Sequence, residues 1–242
     1  MYIIDRLKNI AGMSEPDSSD FILSSFFLNP ENLKTERITL SDVQKLTFIS
    51  ISTINRFCKD CGADSLKNFV EDLRAEFEDE RLILQKRCES HRLPSSMVKE
   101  TEQAAELILK SERIFFYGNP SDIYCMSGLQ NACILERKQA VILNGWSIER
   151  TRRLLRNITE KDCLLLIDTS YSLPMLKLRM DLQEEVIRYH EMTSLPCAKI
   201  FIGRKSSEKS DVFMKIGISN ESDPGLALYT LSACLQKRIF DL

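Results

Sequence analysis

One short stretch of the sequence concentrates hydrogen-bonding and cationic side chains on what would be one face of a helix. Between Ile49 and Gly62, hydroxyls, an amide and two cations recur at positions that one face of a helix would present. Such groups bond phosphate oxygens and base edges in the major groove. The residues that we predict to contact DNA are Ser50, Ser52, Thr53, Asn55, Arg56 and Lys59. A solvated helix face has the same composition, so that alternative remains open at this point.

A second set of polar side chains follows apolar runs in the carboxy-terminal half. If these runs form a parallel sheet, ligands bind beyond the carboxyl ends of the strands. Hydroxyls and free backbone N–H groups at the following helix starts can hold a phosphate. The effector-binding residues that we predict are Ser121, Asp168, Ser170 and Ser172. Helix capping by the same side chains is the alternative.

The sequence offers little support for catalysis, and we expect that the protein is not an enzyme. His190 lies within the charged segment 176–192, which we expect to be a helix away from any strand end. Cys58 and Cys61 form a CxxC pair without a second Cys or His pair nearby. We interpret them as reduced core thiols one helical turn apart, with a structural zinc or a redox pair as alternatives. We predict no catalytic residue, metal ligand or cofactor.

The elements that would position the DNA-contacting residues are two short helices. Thr39 and Ser50 are suited to cap them, and Asp42 stands at the third position of the first. In the first helix we expect Leu40, Val43 and Leu46 to point inward. The second helix repeats apolar residues at Ile54, Phe57, Cys58 and Cys61, and Gly62 is placed to end it. Two short helices with this spacing predict a helix-turn-helix.

Five short apolar runs appear only past Pro94, and helix-compatible segments separate them. They are 114–117, 140–143, 163–167, 198–202 and 212–216. This alternation predicts an α/β fold, with an all-α amino-terminal domain followed by an open, mainly five-stranded parallel α/β/α sandwich. We place the two domains at 1–92 and 93–242.

The amino-acid composition limits the class of protein and the partners that we expect. The 242 residues include 33 Lys+Arg and 35 Asp+Glu, an ordinary balance for a globular chain. No apolar run reaches the length of a membrane helix and the first residues do not resemble a secretory signal, so we expect a cytoplasmic protein without a membrane partner. Through Val70 there are eight basic and nine acidic residues, less positive charge than many DNA-binding domains carry.

The helix-turn-helix segment resembles the amino-terminal domain of RpiR-type transcriptional regulators. The resemblance runs through Asn29-Pro30-Glu31, Thr39-Leu40 and the stretch Ser50 to Gly62, with Thr53, Arg56, Phe57 and Lys59 at the family positions. It implies that Thr53, Arg56 and Lys59 lie in or beside the DNA-contacting helix. Gln44, Phe48, Cys61 and Ala63 depart from the family pattern, which usually has Gly where Phe48 stands.

The segment from about Ser95 to Leu242 resembles the sugar isomerase (SIS) domain that follows in these regulators. Arg113 to Gly118 with Ser121, and Asp162 to Ser170, carry the resemblance. The family's phosphate-wrapping S-x-S-G-x-T loop corresponds here to 168–173, where Asp168, Tyr171 and Leu173 depart from it. Asp168 would repel a phosphate dianion and could instead bond sugar hydroxyls or an amine.

The resemblance implies a transcriptional regulator of sugar or amino-sugar metabolism genes that binds double-stranded DNA and a phosphosugar or related effector. We expect a homodimer or homotetramer, since one recognition helix supplies few base contacts. Candidate interface residues lie in the last helix, 226–239: Leu226, Tyr229, Cys234 and Leu235. Two alternatives remain: a divergent protein that serves protein association with little DNA or effector binding, and a phosphosugar isomerase.

Overall fold

The computed structural model describes most of the chain. The described residues are 2–35, 37–90, 98–143, 148–169, 175–176, 187–188, 192–203, 210–216 and 224–241. The chain forms two compact units, Met1–Ile83 and Leu84–Leu242, which divide within one long helix. The domain boundary that we predicted at 92 and 93 lies outside the described residues, so it stays a prediction.

The described part of the amino-terminal unit is helical. Its elements are α1 (Ile3–Met13), α2 (Ser19–Phe27), a 3-10 turn (Pro30–Leu33), α3 (Leu40–Thr47), α4 (Ile51–Asp60) and α5 (Leu66–Ser90), of which α5 continues past the division. Phe27 packs against Phe57 and Phe69, with ring centroids 6.1 and 4.8 Å apart. These contacts join α2, α4 and α5 in one aromatic core, and each fully buried ring contributes about 1.5–3 kcal/mol.

Both helix starts of the helix-turn-helix are confirmed. The Asp42 N–H donates to Thr39 Oγ1 at 3.2 Å, and the Thr39 N–H donates to Asp42 Oδ2 at 3.0 Å, which completes a capping box at α3. The hydrogen bond from Thr39 is the largest cause of the lowered pKa of Asp42. The Thr53 N–H donates to Ser50 Oγ at 3.2 Å and begins α4.

The inward face of α4 is also confirmed, whereas that of α3 is partly wrong. Ile54, Phe57, Cys58 and Cys61 are all buried, and Gly62 ends the helix with a φ of +92°. On α3, however, Val43 and Thr47 are buried and Leu46 is 66% exposed. Thr47 satisfies its hydroxyl by donating to the Val43 carbonyl at 2.7 Å, so a Thr takes the inward position that we expected for Leu46.

The carboxy-terminal unit alternates helices and strands. The helices are α6 (Val98–Lys110), α7 (Pro120–Cys125), α8 (Ser127–Leu135), α9 (Ile148–Arg156) and α10 (Pro224–Asp241). The strands are β1 (Arg113–Gly118), β2 (Gln139–Leu143), β3 (Asp162–Asp168), β4 (Met175–Leu176), β5 (Ile187–Arg188), β6 (Ala198–Gly203) and β7 (Val212–Lys215). All five predicted runs are strands, within two residues of the expected bounds.

Five of these strands form one parallel sheet in the order β2-β1-β3-β6-β7. Every residue of the central strand β3 is buried. Its side chains alternate between two cores, with Leu165 in the one that includes α6, α8 and α10, and Leu164 in the one that includes α9. The predicted fold class, a helical amino-terminal region followed by a five-stranded parallel sheet covered on both faces, is confirmed.

One expected helix is contradicted where the structure describes it. Ile187–Arg188 pairs antiparallel with Met175–Leu176, so segment 176–192 is not one continuous helix. The charge pattern of the segment had indicated a helix. Ile187 and Val186 are β-branched, and such residues favour extended structure. His190 and His91 lie outside the described residues. Among the helices that the structure describes, none is long and apolar enough to cross a membrane.

An ion pair joins the starts of β1 and β3. The Arg113 guanidinium donates to both carboxylate oxygens of Asp162, at 2.8 and 2.7 Å, and to the Asn157 carbonyl at 2.6 Å. The Thr159 N–H also donates to Asp162. Burial raises the pKa of Asp162, but the hydrogen bonds and the positive charge of Arg113 outweigh it, so the pKa lies below its usual value of 3.8.

We predict that Asp162→Asn lowers the free energy of unfolding by about 1–3 kcal/mol, because Arg113 and Thr159 lose a charged acceptor. Chemical denaturation at neutral pH measures the loss. Since the folded-state pKa is lowered, this stabilisation is complete above pH 3.8 and disappears as the pH falls through the folded-state value.

The matched control is Glu112→Gln, which removes the exposed pair between Glu112 and Lys161. We expect no measurable destabilisation from it, because an exposed pair is screened by solvent. An Asp162→Asn protein that unfolds at the same denaturant concentration as the Glu112→Gln protein would contradict the role assigned to Asp162.

Candidate functional site

The outer face of α4 is the candidate nucleic-acid interface. Of the six predicted residues, Ser50, Ser52, Arg56 and Lys59 are exposed, and Thr53 and Asn55 are partly exposed. Ser52, Asn55, Arg56 and Lys59 follow the i, i+3, i+4, i+7 spacing of one helix face, opposite the buried apolar stripe. The structure therefore places these four predicted side chains on one exposed stripe, while what they bind stays a prediction.

The hydroxyls at the start of α4 form a cluster. Ser50 Oγ lies 2.9 Å from Ser52 Oγ and 2.9 Å from Thr53 Oγ1, in addition to the capping bond from the Thr53 N–H. Each hydroxyl can both donate and accept, so the cluster can form further hydrogen bonds with a molecule outside the protein. Its immediate effect is to hold the first turn of α4 in place.

The cations of the stripe are free to meet an outside partner. Within the described residues, neither the Arg56 side chain nor the Lys59 side chain forms an ion pair or hydrogen bond. Segment 39–60 carries three cations, including Lys45, against Asp42 and Asp60. The segment therefore has a net charge of +1, whereas the amino-terminal unit Met1–Ile83 as a whole has ten Lys+Arg against fifteen Asp+Glu.

Cys58 and Cys61 lie on the opposite, buried face of α4. Burial is the main cause that raises the pKa of Cys58 to about 12 and that of Cys61 to about 11. Thiols with such pKa values are protonated at neutral pH and are poor nucleophiles and metal ligands. This favours the interpretation of the CxxC pair as core packing.

The candidate effector site lies where the strand order reverses. The chain passes from β1 to β2 on one side and then to β3 on the other, so the loops after β1 and β3 diverge at the carboxyl edge of the sheet. Ligands of open α/β sheets bind in such a crevice. Gly118 permits the close approach of these strands, because a Cβ there would lie 2.8 Å from the Ile167 carbonyl oxygen.

A hydrogen bond that the sequence analysis missed joins α7, which follows β1, to the residue after β3. Thr169 Oγ1 lies 2.9 and 2.8 Å from the two carboxylate oxygens of Asp122, and both residues are buried. The partners are 47 positions apart in the chain. Their only sequence signal is that each immediately follows a predicted site residue, Ser121 or Asp168.

Two of the four predicted effector residues lie in the described structure. Ser121 is exposed at the second position of α7, and Asp168 is buried at the end of β3. Ser170 and Ser172 lie outside the described residues. With Asp122 and Asp168 both buried at this edge, the described part of the site is rich in carboxylate rather than in cations, which disfavours a phosphate dianion.

The four predicted interface residues of α10 differ in their exposure to solvent. Leu226 and Tyr229 of α10 are exposed, as an association surface requires. Cys234 and Leu235 are buried, and Leu235 belongs to the core that α10 shares with the sheet. Both buried residues already pack inside their own protomer and are therefore unavailable to a partner, so their assignment to an interface is wrong.

We predict that Thr169→Val destabilises the protein by about 1–3 kcal/mol, because it leaves a buried Asp122 carboxylate without its donor. Thermal and urea unfolding measure the effect. Thr169→Ser is the matched control, since it removes only the methyl group and retains the hydroxyl. Equal stability of the Val and Ser variants would contradict a structural role for this hydrogen bond.

No protein-family model and no curated protein matches the chain. Among solved structures, the chain is similar to the NanR protein of Vibrio vulnificus in complex with ManNAc-6P, with 14% identity over 99% of this chain and 90% of that one, and a TM-score of 0.42.

It is also similar to the sugar isomerase domain of an RpiR transcription factor from Sphaerobacter thermophilus, with 12% identity, 67% and 86% coverage and a TM-score of 0.42. A hypothetical protein matches with 15% identity, 67% and 87% coverage and a TM-score of 0.41. At these identities and TM-scores, the likeness identifies no ligand or activity of this chain.

Proposed function

We propose that the protein is a cytoplasmic DNA-binding transcriptional regulator of the RpiR type. In this proposal α3 and α4 form a helix-turn-helix whose second helix enters the major groove, and the carboxy-terminal unit binds an effector and joins protomers. The genes of sugar or amino-sugar metabolism are its proposed targets, by the resemblance of the sequence to that family.

The observation that carries the proposal is the two-sided character of α4. Its apolar stripe is buried, with Phe57 packed in the aromatic core. Its other face presents Ser52, Asn55, Arg56 and Lys59 to solvent. Donors and unpaired cations on a rigid, capped helix match the acceptors of DNA phosphates and base edges.

For the carboxy-terminal unit we propose binding without catalysis. At the carboxyl edge of the sheet, where the strand order reverses, the described residues include the buried carboxylates Asp122 and Asp168 and the exposed hydroxyl of Ser121. Asp122 already accepts the Thr169 hydroxyl, so this carboxylate serves structure rather than proton transfer. A ligand with an amine, such as an amino sugar, suits the negative charge at this edge better than a phosphate group does.

We predict that the full-length protein binds duplex DNA from its own upstream intergenic region and that binding weakens as salt rises. Arg56→Ala with Lys59→Ala removes the two unpaired cations and should weaken binding at least tenfold at moderate salt, with a shallower salt dependence. Fluorescence anisotropy at two salt concentrations measures both quantities.

The control variant is Lys67→Ala, which removes an exposed cation of α5 that already faces Glu71 at 3.8 Å. It should bind DNA as the unchanged protein does. Equal losses in both variants would indicate a non-specific effect of net charge. If the folded, unchanged protein binds neither this DNA nor a duplex enriched from a random library, the proposed function is wrong.

We further propose that protomers associate through the exposed part of α10. Leu226→Ser with Tyr229→Ser should shift the mass measured by light scattering towards the monomer, because it removes the exposed apolar side chains of that helix. Tyr124→Ser on α7 removes an aromatic residue that is more exposed, at 79% against 41% for Tyr229, and should leave the mass unchanged. A monomeric unchanged protein at micromolar concentration would exclude this arrangement.

A further inference from the structure

The turn between α3 and α4 holds an aromatic residue in an unfavourable setting. Phe48 has a φ of +60°, in the left-handed region, and its side chain is 91% exposed. Its N–H donates to the Gln44 carbonyl at 2.8 Å, which fixes Phe48 as the residue that ends α3. Glycine adopts this conformation without strain, and an exposed ring gains nothing from burial. Within the amino-terminal unit, nothing in the described structure offsets these two costs.

A second apolar residue stands two positions after the turn residue Ile49, on the face expected to meet DNA. Ile51 is the first residue of α4 and is 40% exposed. Asn55 and Lys59 follow it at i+4 and i+8, so Ile51 shares their side of the helix. It is the one large aliphatic side chain in an exposed stripe that is otherwise polar or cationic along α4.

The surroundings of these two residues indicate the chemistry of their partner. Between them lies Ser50 with its hydroxyl cluster, and the cations of the segment are Lys45, Arg56 and Lys59. An apolar protein surface would meet these unpaired charges at a desolvation cost. An anionic duplex is attracted by the charges, and its major groove presents one apolar group, the C5 methyl of thymine.

We propose that Phe48 and Ile51 contact thymine methyl groups in the major groove and so determine part of the sequence preference of α4. This inference rests on the proposed DNA-binding function. It assigns specificity to two apolar side chains, whereas the polar residues of the stripe supply phosphate and base-edge hydrogen bonds.

The test uses the full-length protein and a duplex enriched from a random library by repeated binding. Each thymine of the enriched site is replaced in turn by deoxyuridine, which keeps the base pair and removes only the C5 methyl. We expect about fourfold weaker binding for each contacted methyl group. Enriched sites without a recurrent thymine, or binding that is indifferent to every replacement, would overturn the inference.

Three variants assign the effect to these residues. Phe48→Gly, Phe48→Asn and Ile51→Ser should each bind with reduced sensitivity to at least one deoxyuridine replacement. Both substitutions at Phe48 tolerate the left-handed backbone, so their melting temperatures should equal or exceed that of the unchanged protein. Leu82→Ser, at a 47% exposed position of α5, is the control and should keep full sensitivity.

The outcomes separate the two proposals. Salt-dependent binding that is lost in the Arg56/Lys59 variant but is indifferent to thymine methyl groups leaves the DNA-binding function standing and overturns the inference. Failure of the unchanged protein to enrich any duplex overturns both. Variants of Phe48 or Ile51 that retain methyl sensitivity but lose oligomeric mass would assign the pair to contact between protein chains, again overturning the inference.

Discussion

The burial of one face of α4 is the constraint on which the proposed function depends. Phe57 packs against Phe27 and Phe69, and Ile54 and Cys58 are buried beside it, so the rotation of α4 about its own axis is fixed. A helix of ten residues that commits one stripe to the core must present the opposite stripe outward. The packing of the core therefore determines which residues of α4 are exposed, and these include the proposed DNA-contacting residues.

Other contacts of the amino-terminal unit support this arrangement. Glu76 of α5 accepts the first N–H groups of α1 at 2.7 and 2.9 Å, and Arg6 of α1 donates to the Cys61 carbonyl at the end of α4. Arg74 donates to the Leu33 carbonyl at 3.0 and 2.7 Å. Helix ends that would be unsatisfied in isolation are therefore bonded across the unit, and the end of α4 is bonded to α1.

The helix starts and the strands were predictable from sequence because they depend on local signals. Thr39 with Asp42 is a capping box within four residues, and each strand is a short apolar run. The Asp122–Thr169 bond was missed because its partners are 47 positions apart and are brought together by the pairing of β1 with β3. The exposure of Leu46 was missed for a local reason, since the adjacent Thr47 can be buried with its hydroxyl bonded to the Val43 carbonyl of the same helix.

The central claim is that α4 is the surface that meets DNA, and hydrogen–deuterium exchange on the full-length protein with and without an enriched duplex tests it directly. The account predicts that the added duplex slows exchange in 48–60, with little change in the amides of β3. The competing basic element is α9, where Arg152, Arg153 and Arg156 are at least partly exposed and make it the alternative electrostatic surface. Protection confined to α9, or no protection in 48–60 under conditions where the duplex is bound, would contradict the account.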